Sequence, residues 1–151
     1  MTKLELKKAP NGMKMLLDDM IAAIPEFDHI DPERVHLIIS NSESRAIALC
    51  HEMSKRIQFA LDAPPNYVIE LVERNWKKLD AEQRAKVMIH ELYHIPKTFS
   101  GHLRNHNRRK GFCSYARKLE DGLYYNYIHE HPSRDKSEVL ALVKTLTFSG
   151  F

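Results

Sequence analysis

Two histidines and a glutamate, His90, Glu91 and His94, form the part of the sequence whose residue types and spacing could carry out chemistry. Residues 90 to 94 read HELYH, an HExxH pattern. Residues four apart on a helix lie one above the other, so both imidazoles can reach one metal ion, and zinc suits imidazole nitrogen. Glu91 is turned by about 100° from His90 and can reach a metal-bound water instead of the metal. The pattern predicts Zn²⁺ held by His90 and His94, with Glu91 as the general base of a hydrolase.

A catalytic zinc site usually has a third protein ligand and leaves one position for water. Two histidines, His102 and His106, follow the motif in the sequence. Pro96 and Gly101 allow a turn that could bring either one back to the metal. Spacing excludes neither, so both are candidates for the third ligand.

The HExxH residues need a helix to position them, and the sequence predicts one that begins at Ala81 and ends before Pro96. Asp80, with Gln83 three residues later, has the pattern of a capping box. An apolar stripe at helical spacing is formed by Ala85, Met88, Ile89 and Leu92. His90 and His94 project from nearly the opposite side, so one face packs while the other presents the imidazoles.

Other segments predict the framework around this helix. Residues 13–24 have apolar positions at helical spacing before Pro25, and residues 133–146 form a last helix with Ser133 or Ser137 as its cap. Residues 34–40 and 67–73 have strand character. The stretch 45–61 is ambiguous, but RIQFAL within it looks like a strand joined to 67–73 by a proline-bearing turn. We therefore predict an α+β fold, with residues 1–151 as a single domain in which a small β-sheet packs with helices.

Composition agrees with a globular chain: 43% of its 151 residues are hydrophobic, 28% are charged and the net charge is +3. No apolar run approaches the roughly 20 residues that span a bilayer, and the first residues do not resemble a secretory signal, which predicts no membrane partner and a cytoplasmic location. Cys50 and Cys113 are too far apart for a CxxC knuckle, so we expect buried thiols.

The stretch from Tyr67 to Phe112, with YVIELVERNWKKL, VMIHELYHIPKTFSG and LRNH, resembles the family of phage-type metallopeptidases of archaea, bacteria and their viruses. The resemblance implies a zincin-like fold, hydrolysis of peptide or protein substrates, and a metal motif that maps onto His90, His94 and His106. Asn105 stands where the family usually has proline, and Asn107 where glycine is commoner.

A more distant similarity is to SprT-like zinc proteases, in which a phenylalanine-bearing helix follows the histidine beyond HExxH. In this chain that helix would bury a stripe made of Phe112, Tyr115, Ala116, Leu119 and Leu123. The similarity also suggests a protease that acts on DNA-bound proteins.

Basic residues cluster beyond the motif, and the four that could follow a phosphate backbone are Arg104, Arg108, Arg109 and Lys110. A solvated face balanced by Glu120 and Asp121 explains the same cluster. Our prediction is a zinc metallopeptidase, with a nucleic-acid-associated protein as the alternative, either a SprT-like protease or a binding module with a structural zinc. Glu91 favours the peptidase, since a structural zinc site has no use for an adjacent base.

His29, His36 and His51 are interpreted as core or surface residues. His129 and His131 could form an accessory metal site, but we favour a solvated turn before Pro132. Peptide hydrolysis also needs a donor to the developing oxyanion, and four tyrosines are candidates: Tyr93, Tyr115, Tyr124 and Tyr125. The sequence does not choose among them.

Overall fold

A computed structural model describes residues 3–104 and 112–147, with the backbone alone for 112–117. Within these ranges the protein is a mixed α+β structure with a four-stranded sheet and six α-helices. The strands are β1 (Leu6–Lys8), β2 (Val35–Ser40), β3 (Ala48–His51) and β4 (Tyr67–Val72). The helices are α1 (Asn11–Ala23), α2 (Lys55–Leu61), α3 (Glu73–Trp76), α4 (Ala81–Tyr93), α5 (Phe112–His129) and α6 (Lys136–Lys144).

The sheet has the order β1-β2-β4-β3, so β1 and β3 are its edge strands. β2 and β4 run parallel, with Val35 opposite Tyr67, while β1 and β3 are antiparallel to their neighbours. Residues paired across a sheet share a face. Cys50 is paired with Ile69, so β3 directs Cys50 and Ala48 toward the face where the core lies.

The hydrophobic core joins alternate residues of β2 and β4 to the apolar faces of α1 and α4. The predicted apolar stripe of α4 is fully buried in this core. The predicted apolar positions of residues 13–24 in and after α1 are buried as well. This confirms the α+β prediction and the faces assigned to both helices. Among the helices that the structure describes, none is both long and apolar enough to cross a membrane.

One predicted strand is wrong. RIQFAL lies in α2, a helix that begins after Ser54, whose side chain accepts a hydrogen bond from the Ile57 amide, and that ends at Asp62 in the left-handed conformation. None of the residues of α2 is buried. The strand propensity of Ile57 and Phe59 expresses packing on a half-buried sheet surface, and this segment has no such surface to pack on.

The ends of α4 and α6 are set by capping boxes. Asp80 and Gln83 form the predicted box at α4. At α6 the cap is Asp135, which pairs with Glu138, and neither Ser133 nor Ser137 caps the helix as predicted. Both aspartates accept the amide hydrogen bond of the third helical residue, which would otherwise lack an acceptor.

The interpretation of His131 as part of a solvated turn is wrong. Its side chain is 2% exposed and its Nε2 lies 3.0 Å from Asp19 Oδ2. The Nδ1 atom accepts hydrogen bonds from the amides of Ser133 and Arg134, so Nε2 carries the proton and donates it to Asp19. The Tyr127 hydroxyl donates to the same carboxylate at 2.5 Å. We call Asp19, Tyr127, His131 and Arg134 the Asp19 cluster; it ties α1 to α5 and to the turn before α6.

Candidate metal centre

Three side chains at the carboxyl end of α4 converge on one point. The possible ligand atoms of His90, Glu91 and His94 all lie within 4.8 Å of one another. The two imidazole Nε2 atoms face each other at 3.1 Å, and the rings are inclined at 78°. This is the group that the HExxH spacing predicts, and it is the one potential metal-binding cluster found among the described residues.

The cluster is enclosed, although a histidine face on a helix could equally be open to solvent. Glu91 is 6% exposed and His94 is 7% exposed. His94 is the last residue associated with α4, as its C-cap. The chain returns to it, since the Arg104 amide donates a 2.7 Å hydrogen bond to the His94 carbonyl. Residues 95–104, which we call the return segment, therefore cover the end of the helix that carries the motif.

The two imidazoles are oriented by acceptors on their far sides. His94 Nδ1 lies 2.7 Å from the Arg104 carbonyl oxygen, which can only accept, so Nδ1 carries the proton. His90 Nδ1 contacts the Glu120 carboxylate, and an ionised carboxylate also only accepts. In this tautomer each Nε2 presents a lone pair to the other, an arrangement that a cation between them stabilises.

The distance between the two nitrogens also fits a metal. Two imidazole nitrogens each about 2.0–2.1 Å from a tetrahedral zinc ion are about 3.3 Å apart. The observed Nε2 to Nε2 distance is 3.1 Å. The donor types, their separation and their tautomers therefore suit Zn²⁺ without rearrangement of the helix.

Glu120 is the residue that the sequence interpretation missed. It lies on α5, where it was counted only as a balancing charge, but the structure places its carboxylate against His90 Nδ1. Histidines that bind metals usually donate their other N–H to a carboxylate or carbonyl oxygen. That rule could have prompted a search for an acidic partner, but it gives no spacing, and 30 residues separate the two side chains.

The electrostatics of the centre favour proton exchange near neutral pH. The pKa of Glu91 is raised to about 7, mainly because the carboxyl is buried. The charge of Glu120 raises this pKa further, and His90 and His51 lower it. For His90, burial lowers the pKa, but the Glu120 hydrogen bond and the charges of Glu91 and Glu120 outweigh it and the net shift is upward. A carboxyl with a pKa near 7 can take up and return a proton at neutral pH.

Two clefts meet at Glu91. The first, of about 200 Å³, lies on the His94 side and is also lined by Cys50, Leu103 and Arg104. The second, of about 310 Å³, lies on the His90 side, where Glu120 and apolar residues line it. Both clefts include Ala48 and Leu49 of β3. The edge strand β3 and helix α4 therefore form the two walls of one groove that passes Glu91.

The other predicted site residues are distributed as follows. The side chain of His102 is exposed and does not belong to the group formed by His90, Glu91 and His94. The His102 carbonyl accepts a hydrogen bond from the Tyr67 hydroxyl at 2.8 Å. His106, the other candidate for the third ligand, lies outside the described residues. So do three of the four residues predicted to bind nucleic acid: Arg108, Arg109 and Lys110. The fourth, Arg104, lines the cleft beside Glu91.

The candidate tyrosines and cysteines are placed only in part. Tyr93 lies under the Arg104 guanidinium, whose carbon is 4.6 Å from the ring centre. Tyr124 and Tyr125 line a separate groove against α6. The side chains of Tyr115 and Cys113 are outside the described residues. Cys50 is partly buried as a free thiol in the first cleft, and burial, with the charge of Glu91, raises its pKa.

The chain was compared with known protein families, curated proteins and solved structures. The family model described as "Putative phage metallopeptidase" matches residues 5–145. No curated protein and no solved structure matches the chain.

Proposed function

Because the chain belongs to the phage metallopeptidase family, whose model matches residues 5–145, we propose that it is a zinc-dependent peptidase with its active site at His90, Glu91 and His94. The observation that carries this proposal is the facing pair of Nε2 atoms at 3.1 Å. Both rings have their Nδ1 atoms engaged by acceptors, so the lone pairs are directed at a shared point. Glu91 stands beside that point in the groove.

The ion would be held by His90, His94 and His106, with His102 as the alternative third ligand. When bound, zinc polarises a carbonyl and lowers the pKa of a coordinated water to about 7. His106 is supported by the family's motif, and a zincin-like fold is the arrangement that this motif implies. Since one position must be open for chemistry, three protein ligands suit a catalytic centre better than four.

Glu91 would act as the general base. It removes a proton from the attacking water and then delivers that proton to the amine of the departing peptide, so that the carboxylate is regenerated in each cycle. Its burial and its pKa of about 7 suit both transfers. A cation held by the neighbouring imidazoles would favour the ionised form, which is the form that accepts the first proton.

Glu120 would be a positioning residue. By accepting the His90 Nδ1 proton, it fixes the tautomer whose Nε2 faces His94. It does not belong to the group of converging ligand atoms. We expect Glu120→Gln to weaken zinc binding about 10–100-fold, the usual cost of losing such a partner.

The substrate would lie along β3. This strand is at the edge of the sheet, and Ala48 and Leu49 border both clefts beside Glu91. An extended peptide can hydrogen-bond to an edge strand through its main chain, largely independently of its sequence. Such a pose would place a peptide carbonyl next to the metal centre.

The first test is metal content. Wild type, His102→Ala and His106→Ala are prepared identically, reconstituted with zinc and measured by elemental mass spectrometry. One zinc per chain that is lost in His106→Ala and kept in His102→Ala supports the three-histidine site. The opposite loss assigns His102, and a wild-type protein that takes up no zinc refutes the catalytic metal centre.

The second test separates catalysis from metal binding. Glu91→Gln removes the base and keeps the side-chain volume, so we expect zinc content to be unchanged and casein or peptide hydrolysis to fall by at least about 100-fold. Glu82→Gln is the matched control, because Glu82 lies on the same helix but is exposed beside Lys86. Equal activity in Glu91→Gln and Glu82→Gln would remove Glu91 from the mechanism.

A further inference from the structure

We propose that Arg104 makes the groove selective for an acidic group, by binding a substrate carboxylate in the cleft on the His94 side of Glu91. The proposal rests on the peptidase function proposed above and adds the class of substrate to it. Arg104 is one of the residues that the basic cluster in the sequence suggested for nucleic-acid binding. It lines a cleft of about 200 Å³, a size that suits a single carboxylate.

The backbone of Arg104 is fixed relative to the metal centre. Its amide donates to the His94 carbonyl at 2.7 Å, and its carbonyl accepts from His94 Nδ1 at 2.7 Å. The guanidinium rests over the ring of Tyr93, at 4.6 Å from its centre. The two backbone contacts fix the start of the side chain, and the contact with Tyr93 holds its charged end, so part of the side-chain freedom is already lost before a ligand binds.

The guanidinium also has the chemistry that carboxylate recognition needs. Within residues 3–104 and 118–147 no carboxylate forms an ion pair with Arg104. Arg104 Cζ lies 4.6 Å from the centre of the Tyr93 ring, and a guanidinium that stacks on an aromatic ring keeps its N–H edge for hydrogen bonds. That edge matches a carboxylate in a bidentate arrangement. The partly enclosed wall formed by Leu103 and Cys50 strengthens such a contact relative to one in open water.

The cleft on the other side of Glu91 has a different character. Its lining is apolar at Ala46, Ile47 and Val87. Its acidic residue, Glu120, already accepts from His90. The groove is therefore asymmetric: an acidic group fits on the His94 side and an aliphatic side chain fits on the His90 side of the bond to be cleaved.

A carboxylate in this cleft could come from an Asp or Glu side chain or from the carboxyl terminus of the substrate. The two sources share the same chemistry and differ in what they imply, since the first gives an endopeptidase with acidic preference and the second a carboxypeptidase. Peptides with a blocked and a free carboxyl terminus distinguish them.

The test uses zinc-loaded Glu91→Gln protein, so that binding is measured without hydrolysis. The probes are capped heptapeptides of Ala and Leu in which a single Glu is moved along the sequence, their Gln twins, and the Gln series with a free carboxyl terminus. Affinity is measured by calorimetry. If a side-chain carboxylate is bound, we expect the best capped Glu peptide to bind about tenfold more tightly than its capped Gln twin. If the terminal carboxylate is bound, we expect the same advantage for the Gln peptide with a free carboxyl terminus.

The same measurement is then made with Arg104→Gln and Lys97→Gln introduced separately into the Glu91→Gln protein. Arg104→Gln should reduce affinity for the carboxylate peptide to that for the capped Gln twin. Arg104→Glu should instead favour a Lys-containing peptide. Lys97 is exposed and does not line the cleft, so Lys97→Gln should keep the tenfold preference. Zinc content is checked in every variant, because the backbone of Arg104 contacts His94.

The outcomes separate the two proposals. Equal affinity for carboxylate and capped Gln peptides, or a preference that survives Arg104→Gln, overturns the role of Arg104, even if the wild type hydrolyses peptides. A preference that depends on Arg104 in a protein whose wild type hydrolyses none of these peptides supports carboxylate binding and counts against the peptidase. If Arg104→Gln made in the protein that keeps Glu91 lowers kcat equally for every peptide, Arg104 acts on the transition state and the specificity role is wrong.

Discussion

Replacement of Asp19 by alanine should destabilise the fold, because this carboxylate is the common acceptor of two buried donors. The Tyr127 hydroxyl lies 2.5 Å from it and His131 Nε2 lies 3.0 Å from it. Tyr127 is 1% exposed and the His131 side chain is 2% exposed. The third contact, from Arg134, is long at 3.4 Å and comes from a side chain that is 40% exposed, so we give it little weight.

The size of the effect follows from the two donors that Asp19→Ala leaves without this acceptor. Each buried unsatisfied group costs about 1–3 kcal/mol. Two such groups would together cost about 2–6 kcal/mol. The Asp19 side chain is 18% exposed, so water can partly replace it, and we expect a total in the lower half of that range, about 3 kcal/mol. For a chain of this length that corresponds to a fall in Tm of about 6–12 °C.

The assay is thermal unfolding of zinc-saturated protein, with Asp18→Ala as the control. Asp18 is adjacent in sequence, but its pair with Lys14 is half exposed and should contribute less than about 1 kcal/mol. A Tm for Asp19→Ala within about 2 °C of that for Asp18→Ala would refute the assignment of the Asp19 cluster as a buried polar connection.

The pH dependence provides a second check on the same residue. Burial raises the pKa of Asp19, but hydrogen bonds from Tyr127 and His131 and the charge of Arg134 outweigh it, so the pKa lies below its usual value. A carboxyl with a lowered pKa stabilises the fold above its unfolded pKa, about 3.9, and loses that contribution as the pH falls through the folded value. The difference in Tm between wild type and Asp19→Ala should therefore be constant from pH 5 upward and shrink below about pH 4.

Three further predictions concern the framework and the metal. Gly101→Ala should lower the free energy of unfolding, measured by heat or urea, by at least about 2 kcal/mol. Gly101 has φ +96°, and an added Cβ would lie 2.3 Å from Gln58 Nε2 and from the Met53 carbonyl oxygen. Gly12→Ala is the control and should be tolerated, because an added Cβ there has nothing within 4 Å. Asp80→Ala should lower stability by about 1 kcal/mol through loss of the capping box of α4, and an unchanged Tm would contradict this. Removal of zinc by a chelator should lower the Tm of the zinc-loaded protein. The loss of stability should be about 4 kcal/mol if free zinc was present at a thousand times its Kd. No shift would mean that the folded state does not bind zinc in preference to the unfolded state.

The elements that could be predicted from the sequence are those whose signals are local. The capping box of Asp80 and Gln83 and the apolar stripe of α4 involve neighbours within one helix, so they could be identified without knowledge of the fold. The same holds for α1, β2 and β4. The pair of histidines depends only on helical spacing, and the structure brings them together as expected.

The failures come from segments whose conformation depends on distant contacts. RIQFAL has residues that favour strands, but the sheet ends at β3 and α2 lies outside it, held by Gln58, whose amide donates to the Met53 and Ser100 carbonyls. His131 has an unremarkable local sequence, and its burial depends on Asp19, 112 residues away. The Gln58–Ser100 and His131–Asp19 contacts join residues 42 and 112 positions apart, so neither leaves a signal in the local sequence.

The metal centre shows the same division between local and distant information. Spacing along α4 determines that His90 and His94 share a face, but it does not determine which ring nitrogen of each carries the proton. That choice is made by Glu120 on α5 for His90 and by the Arg104 carbonyl on the return segment for His94. Because both acceptors select the tautomer that directs Nε2 inward, the metal affinity that we propose for this centre would depend on how α5 and the return segment pack against α4. A substitution that shifts either segment should therefore weaken zinc binding without altering any ligand.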